Sequence, residues 1–287
     1  MGQTLVYGVL NGALYGVIAL GIALVFGVMR YLNLAQGSLI VLGAYGILFL
    51  FHLGIDPFAS MPLIAFLLFL LGGALFRASF ARLIVFPEAG RIKNSLLISF
   101  GLMLLIDNLA TLLWTGDERS ITPAYSGLTL GIFGLRFPLI GCLGVLSALV
   151  IIAALHTFLS RTYFGKSIMA VSQDYEAASL MGVNVGFTCL VSFAISVGLA
   201  SIPAVLIGLK SFSPTVGIQW FNKGIIVVML SGIGNINGVF PAGLFLGVVE
   251  AISVYFFGAP YREVTGLVVF VLVMVLFPKG LFKRQEL

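Results

Sequence analysis

Charged residues are scarce in this chain: Asp, Glu, Lys and Arg make up only 9% of its 287 residues. An ordinary soluble domain carries about 25% of these residues. Hydrophobic residues make up 60%, and the mean hydropathy is +1.17. So little polar surface cannot coat a water-facing globule. The composition therefore excludes a disordered chain and an ordinary soluble enzyme, and it indicates a protein that lies in a lipid bilayer.

Cysteine and histidine are also rare, with two of each. Cys142 and Cys189 lie in apolar runs, where cysteine behaves as a small hydrophobic residue, so we expect no disulfide. His52 and His156 are far apart and have no Cys or carboxylate at the spacing of metal ligands. The sequence thus predicts no metal site and no catalytic residues, and a membrane-embedded enzyme is disfavoured.

A nucleotide site is the next class to test, because Gly165-Lys166-Ser167 matches the end of a P-loop. The first glycine of that motif would fall at Ser160, and the stretch follows a predicted membrane helix instead of a strand. The phosphate cradle is missing. The sequence predicts that this chain itself binds no ATP and no other cofactor.

Long apolar runs predict an all-α, polytopic bundle, since helices satisfy their own backbone in lipid. None of the runs shows the strict two-residue alternation of barrel strands. At about 20 residues per span, the chain has room for eight or nine spans and none for a separate soluble domain. We therefore expect one transmembrane domain over residues 1–287. The predicted spans are Leu5–Met29, Ala35–Leu53, Pro62–Phe86, Ser95–Trp114, Pro138–Leu159, Phe187–Leu209, Gly224–Ile233, Gly238–Phe257 and Thr265–Phe277.

Basic residues set the predicted orientation, because Lys and Arg favour the cytoplasmic side. They collect after the first span, around the loop between the third and fourth spans, after the fifth span and in the tail: Arg30; Arg77, Arg82, Arg91 and Lys93; Arg161 and Lys166; Lys279, Lys283 and Arg284. This places the N-terminus outside. The formal net charge of +5 is read as a topology signal and not as a nucleic-acid-binding patch.

The run Gly224–Ile233 is the exception among the spans. Ten residues are too short to cross a bilayer at 1.5 Å per residue, yet the tail lies inside only if this region crosses. We expect a half-helix preceded by a packed, non-helical stretch over residues 213–217, because broken backbone is tolerated where protein covers it.

Glycines recur every four residues in the first span, at Gly8, Gly12 and Gly16, and again at Gly243 and Gly247. Residues at this spacing share one helix face, and small residues there let two helix backbones approach. We expect these faces to be packing surfaces.

The interior segment at about 161–186 is the longest polar interruption on the inside. Its core, Ile168–Met181, is predicted to be one short amphipathic helix lying outside the lipid. Gln173, Asp174 and Glu176 give that helix an acidic face, and Gly182 is a suitable helix stop. The segment is either a solvated loop or a docking element for a cytoplasmic partner.

Glu176-Ala177-Ala178, followed after three residues by Gly182, resembles the EAA loop of the permease subunits of ATP-binding cassette importers. Three other stretches resemble the branched-chain amino-acid permeases of the LivH/LivM type: residues 27–37 running into Gly43-Ala44-Tyr45, residues 231–238, and residues 277–282. With a similar spacing of spans, the resemblance covers nearly the whole chain.

The resemblance implies a membrane-spanning importer subunit for branched-chain amino acids or a similar small polar solute, in the inner (plasma) membrane of a bacterial or archaeal cell. It implies two cytoplasmic ATPase subunits that bind ATP and Mg²⁺, an extracytoplasmic substrate-binding protein, and a second permease subunit, either a LivM-like paralogue or another copy. The implied ATPase-coupling residues are Asp174, Glu176, Ala177, Ala178 and Gly182.

Four polar residues near predicted membrane boundaries are candidates for the translocation path: Asn33, Gln36, Asn235 and Asn237. The alternative for each is turn and capping chemistry, to which Asn is suited.

Ionisable residues inside spans are costly and indicate function by default. Asp107, His156 and Glu250 fall within predicted spans. They would serve as a proton relay or a substrate site if the chain were a stand-alone secondary transporter or channel using Asp107 and Glu250. The other interpretation is that Asp107 and His156 reach interfaces while Glu250 pairs with a neighbour.

Overall fold

The computed structural model describes residues 1–132, 134–232, 234–277 and 280–282, and helices dominate it. In chain order the elements are α1 (Gly2–Met29), α2 (Gln36–His52), α3 (Pro57–Leu75), α4 (Glu88–Trp114), β1 (Thr129–Ile132), β2 (Leu135–Pro138), α5 (Leu139–Arg161), α6 (Tyr163–Gln173), α7 (Tyr175–Leu180), α8 (Val185–Leu199), α9 (Ser201–Gly208), α10 (Gly217–Ser231), α11 (Ile236–Phe257) and α12 (Arg262–Leu276). The predicted all-α membrane bundle is confirmed. A short antiparallel hairpin of β1 and β2, which the sequence analysis did not predict, interrupts it.

Seven helical stretches are long and apolar enough to cross a membrane, counted over the described ranges: Gly2–Met29, Pro57–Ile84, Glu88–Trp114, Leu139–Arg161, Val185–Gly208, Ile236–Phe257 and Ala259–Leu276. Helix α2 is apolar but has only 17 residues, and α10 has 15. The chain is a multi-pass membrane protein. The count of eight or nine spans and the single-domain assignment stay predictions.

Two predicted spans are not continuous α-helices. The run Pro62–Phe86 begins in α3 but continues as a short π-helix over Phe76–Phe80 and a 3₁₀ helix over Ala81–Val85. The run Phe187–Leu209 is divided into α8 and α9 near Ala200. Pro203 has no backbone N–H to donate to the carbonyl of Leu199, so the α-helical ladder is interrupted there.

Helix α10 corrects the prediction of a ten-residue half-helix over Gly224–Ile233. The helix begins at Gly217 and has 15 residues. Pro214–Val216, predicted to be non-helical, forms a 3₁₀ turn that leads into it. The apolar run did not reveal the first turns, because Gln219, Asn222 and Lys223 interrupt it without opposing helix formation. Ile233, Lys279, Lys283 and Arg284, used in the predictions above, lie outside the described residues.

Helix α1 lies in the centre of the bundle, and its predicted glycine face packs against α11. A Cβ on Gly12 would lie 2.8 Å from the carbonyl oxygen of Gly243 and from the Cα of Leu244. A Cβ on Gly8 would lie 2.7 Å from the Cβ of Ala251. Only glycine lets the two backbones approach this closely, so these positions bring α1 and α11 together.

Helices α2 and α10 both begin inside the bundle. The side-chain amide of Gln36 donates to the carbonyl of Ser196 at 3.0 Å, and Ser196 lies at the middle of the 24-residue span Val185–Gly208. The first residue of α10 touches the start of α2, since a Cβ on Gly217 would lie 2.7 Å from the carbonyl carbon of Gly37. The two helices therefore start at about the middle of the membrane-spanning depth.

The two ends of the bundle carry different loops. One end holds the α1–α2 connection and the start of α4, where Arg30 pairs with Glu88 at 3.5 Å. At the opposite end Gln3 bonds to the backbone of Arg136 in the hairpin, and the backbone of Arg119 bonds to that of Phe212. The loop 161–186 lies at the end with Arg30, because Arg91 of α4 contacts Tyr175.

Candidate functional site

The loop at about 161–186 contains two helices, α6 and α7. The prediction of one amphipathic helix over Ile168–Met181 is therefore wrong. The backbone of Asp174 is extended (φ −147°, ψ 116°) and separates α6 from α7. The Oδ1 atom of Asp174 accepts hydrogen bonds from the backbone N–H groups of Glu176 and Ala177, each at 2.9 Å. This is an N-cap, and it explains the break: the side chain that caps α7 lies where α6 ends.

Helix α7 ends at Leu180, and Gly182, the predicted helix stop, follows two residues later. That residue has φ +84°, the left-handed conformation that glycine adopts without steric cost. Its N–H donates to the carbonyl of Ser179 at 3.0 Å, and the N–H of Val183 donates to that of Ala178 at 3.1 Å. The cap at one end and the glycine at the other define a compact helix of six residues.

Helix α7 presents one face outward. Glu176 and Ala177 are exposed, whereas Ala178 is buried. At the end of the helix Leu180 and Met181 are 88% and 85% exposed. A carboxylate beside two large exposed apolar side chains is a composition suited to a protein contact.

Tyr175 anchors α7 to the bundle. The guanidinium of Arg91, at the start of α4, lies 4.3 Å from the centre of the Tyr175 ring, a cation–π contact. The Tyr175 hydroxyl lies 3.9 Å from the Sγ of Cys189 on α8. Burial raises the pKa of the Tyr175 hydroxyl, and the neighbouring Cys189 adds to the effect, so this group stays neutral. A force on α7 would therefore reach α4 and α8 directly.

Asn33 and Gln36 are buried where α2 begins. The Asn33 amide donates to Gln36 Oε1 at 3.4 Å, and Gln36 donates to Ser196. The Oδ1 atom of Asn33 has no hydrogen-bond partner in the described part of the chain. The structure brings these two residues together.

Asn235 and Asn237 lie apart from that pair, at the start of α11. Asn235 caps α11 by accepting from the Gly238 N–H at 3.0 Å, and its amide donates to the carbonyl of Phe282 at 2.8 Å. Asn237 is exposed. The role of the four asparagine and glutamine residues in a translocation path stays a prediction.

Glu250 is fully buried and paired. Its carboxylate lies 2.5 Å from the Lys223 Nζ and 3.2 Å from the Arg262 Nε, and it accepts from the Tyr15 hydroxyl at 2.8 Å. Gly266 makes room for the pair, because a Cβ there would lie 2.8 Å from Glu250 Oε1. The cluster joins α1, α10, α11 and α12, and its contacts are those of a structural ion pair. Asp107, on α4, is half-buried and is not part of it.

A groove of about 470 Å³ lies between α10 and α12, and none of its residues was among the predicted site residues. Its polar members are Gln219, Asn222, Lys223 and Glu263. The signal was present: residues 219, 222, 226 and 229, and residues 263, 267 and 270, recur at helical spacing. It was overlooked because the predicted spans began at Gly224 and Thr265.

Comparison with known proteins gives one consistent family. The family model described as branched-chain amino acid transport system, permease component, matches residues 4–277. The high-affinity branched-chain amino acid transport system permease protein BraD of Pseudomonas aeruginosa is 29% identical over 295 residues, which cover 99% of this chain and 96% of BraD. The corresponding LivH proteins of Salmonella typhimurium and Escherichia coli K12 are 26% and 25% identical over 297 residues. Each alignment covers 99% of this chain and 96% of the LivH protein.

No solved structure matches this chain. The family model, in contrast, spans every helix from α1 to α12, and the relatives are named as transport permeases and not as enzymes. The chain therefore belongs to the family of permease components of branched-chain amino acid transport systems.

Proposed function

We propose that this chain is the membrane-spanning subunit of an ATP-binding cassette importer that moves branched-chain amino acids, or a similar small polar solute, into the cytoplasm. The observation that carries the proposal is α7: a capped, outward-facing helix fixed to two membrane helices by Tyr175. Such a helix can receive a force from a partner protein. The substrate class follows the names of the relatives.

The proposed assembly contains partners with separate tasks. Two cytoplasmic ATPase subunits bind ATP and Mg²⁺ and contact α7 through Glu176, Ala177, Leu180 and Met181. Asp174, Ala178 and Gly182 hold the shape of α7 and contribute indirectly. A second permease subunit, a LivM-like paralogue or another copy, completes the membrane part. An extracytoplasmic binding protein delivers the solute, in the inner (plasma) membrane of a bacterial or archaeal cell.

The coupling step is mechanical. When the ATPases close, they displace α7, and the Arg91–Tyr175 contact passes the displacement to the start of α4. The Tyr175–Cys189 contact passes it to α8. These helices belong to stretches long enough to cross the membrane. When they tilt, the translocation path closes to one side of the membrane and opens to the other.

Charge reversal at Glu176 tests the docking role. The importer is reconstituted in proteoliposomes with its ATPases, the second permease and the binding protein, and ATP-driven uptake of labelled leucine is measured. We expect Glu176→Arg to abolish uptake and weaken ATPase assembly. The matched control is Glu88→Arg, which reverses another exposed acid at the same end of the bundle and leaves uptake near the native level.

The same liposomes test the alternative function. A secondary transporter using Asp107 and Glu250 would take up solute along an ion gradient without any ATPase subunit. Gradient-driven uptake by the chain alone would overturn the importer proposal. Normal assembly and uptake of the Glu176→Arg variant would remove only the role of α7.

A further inference from the structure

The groove between α10 and α12 exposes amide side chains at a depth where lipid is expected. Gln219 and Asn222 are exposed and lie two and five residues after Gly217, which touches Gly37 near the middle of the bundle. At 1.5 Å per residue both lie within about 8 Å of that level along α10. The other wall is α12, part of the membrane-spanning stretch Ala259–Leu276. These amides therefore face the middle of the membrane.

Other polar side chains on the outer helices behave differently. Asn108 and Thr111 on α4 and Thr157 on α5 each donate to a carbonyl four residues earlier in the same helix, at 2.7–2.8 Å. That bond satisfies a polar group that would otherwise face hydrocarbon. Within the described ranges, the side chains of Gln219 and Asn222 make no hydrogen bond at all. Polar groups left unsatisfied in hydrocarbon are costly, so these two amides require a polar partner other than lipid.

The lining of the groove has a chemical gradient along its length. Gln219, Asn222, Lys223 and Glu263 supply two amides, a cation and a carboxylate, whereas the part nearer the carboxyl ends of the helices is formed by apolar residues that include Met229 and Phe270. Lys223 donates to Glu250, but an ammonium group has three donors and two remain. The groove thus offers a donor for a carboxylate, an acceptor for an ammonium group and an apolar wall.

We infer that the α10–α12 groove is one wall of the translocation path, and that it contacts a zwitterionic amino acid with an apolar side chain. Gln219 and Asn222 replace hydration of the solute at the middle of the membrane, and the second permease subunit closes the path on the opposite side. The inference rests on the proposed function and assigns it residues different from Asn33, Gln36, Asn235 and Asn237.

Cysteine labelling tests this assignment. Gln219→Cys and Asn222→Cys are introduced separately, and the assembled importer in proteoliposomes is treated with a positively charged, membrane-impermeant methanethiosulfonate. Labelling at each position is read by mass spectrometry, so the native cysteines can stay. The matched controls are Val268→Cys and Leu272→Cys, which lie on the exposed apolar face of α12. All four side chains are exposed, so the substitutions leave the packing of the bundle intact.

We expect both groove cysteines to react on the order of tenfold faster than the controls, because only the thiolate reacts and its formation needs water. We also expect excess leucine, supplied with the binding protein, to slow labelling at Asn222→Cys, and labelling to inhibit uptake. Groove cysteines that react no faster than the controls, in a complex whose unsubstituted form performs ATP-driven uptake, would overturn this inference and leave the proposed function standing. An unsubstituted complex without ATP-driven uptake would overturn the proposed function itself.

Discussion

Helices α1 and α5 have nearly the same hydropathy, but the bundle uses them in opposite ways. Their most apolar windows have mean hydropathies of 2.2 and 2.4, yet the α1 window is 100% buried inside the protein and the α5 window only 17%. In a bilayer, the surroundings of an outer helix are as apolar as the protein core. High hydropathy therefore indicates that a helix lies in the membrane, and it does not indicate whether the helix lies in the centre or at the edge of the bundle.

The two helices differ in what their glycines meet: Gly12 of α1 lies against the backbone of α11, whereas Gly141 and Gly144 of α5 lie against the side chains of Leu10 and Leu206. Lipid tails are as apolar as leucine, so helices in a membrane associate through close packing and polar contacts. Helix α1 presents Gly8 and Gly12 to α11, and its Tyr15 hydroxyl donates a hydrogen bond to the Glu250 carboxylate. Helix α5 instead exposes large side chains such as Leu146, Leu149 and Val150. A helix thus takes the central position when its backbone and polar side chains can approach those of its neighbours.

The substitution expected to destabilise the protein most removes the buried carboxylate of Glu250 from its ion pairs with Lys223 and Arg262. We expect Glu250→Gln to lower the free energy of unfolding by about 3–5 kcal/mol, because Lys223 and Arg262 would keep their charges without a carboxylate. The midpoint of unfolding in detergent measures it. The control Glu88→Gln removes a surface ion pair with Arg30 and should cost less than about 1 kcal/mol. Equal shifts for the two variants would show that the Glu250 cluster contributes little to stability.

The next prediction compares the same substitution on the two helices. Leu24 of α1 is 0% exposed and Leu149 of α5 is 48% exposed. We expect Leu24→Ala to cost about 3 kcal/mol, because it leaves a cavity in the packed core. Leu149→Ala should stay within about 0.5 kcal/mol, since lipid fills the space. Unfolding midpoints in bicelles measure both, and a large loss at Leu149 would mean that α5 is covered by another protein chain.

The third substitution adds a single methyl group at the α1–α11 contact, and we expect it to have a smaller effect on stability than the other two. A Cβ on Gly12 meets backbone atoms of α11 at 2.8 Å, whereas a Cβ on Gly101 of α4 has nothing within 4 Å among the described residues. We expect Gly12→Ala to destabilise by about 2 kcal/mol through overpacking. Gly101→Ala should cause no loss, because alanine favours the helix. Thermal unfolding followed by size-exclusion chromatography distinguishes them, and a tolerated Gly12→Ala would contradict the close approach of the two backbones.

The candidate site shows which features of the sequence were informative. Asp174 and Gly182 were recognisable because capping and helix stopping depend on a few adjacent residues. The break between α6 and α7 was missed even though Asp174 causes it, because the apolar spacing of Ile168, Val171, Tyr175 and Ala178 continues across it. The contact between Arg91 and Tyr175 was not predictable, since the two residues lie in separate loops.

The groove was missed for a related reason. Gln219, Asn222 and Lys223 look like a polar loop when apolar runs define the spans, and they become a helix face only after α10 begins at Gly217. At that start Gly217 lies against Gly37, which is 180 positions earlier in the chain. The partner of Glu250 was equally hidden, because Lys223 belongs to another helix.

Apolar content and short motifs are local properties, so the order of residues was enough to assign this protein to a membrane, to a helical architecture and to the branched-chain amino acid permeases. The folded bundle was needed to show that α1 is central and α5 peripheral, that α2 and α10 begin at mid-depth, and that Glu250 has two cationic partners. These outcomes depend on distances between residues far apart in the chain, and in lipid those distances follow from backbone packing, which hydropathy does not encode.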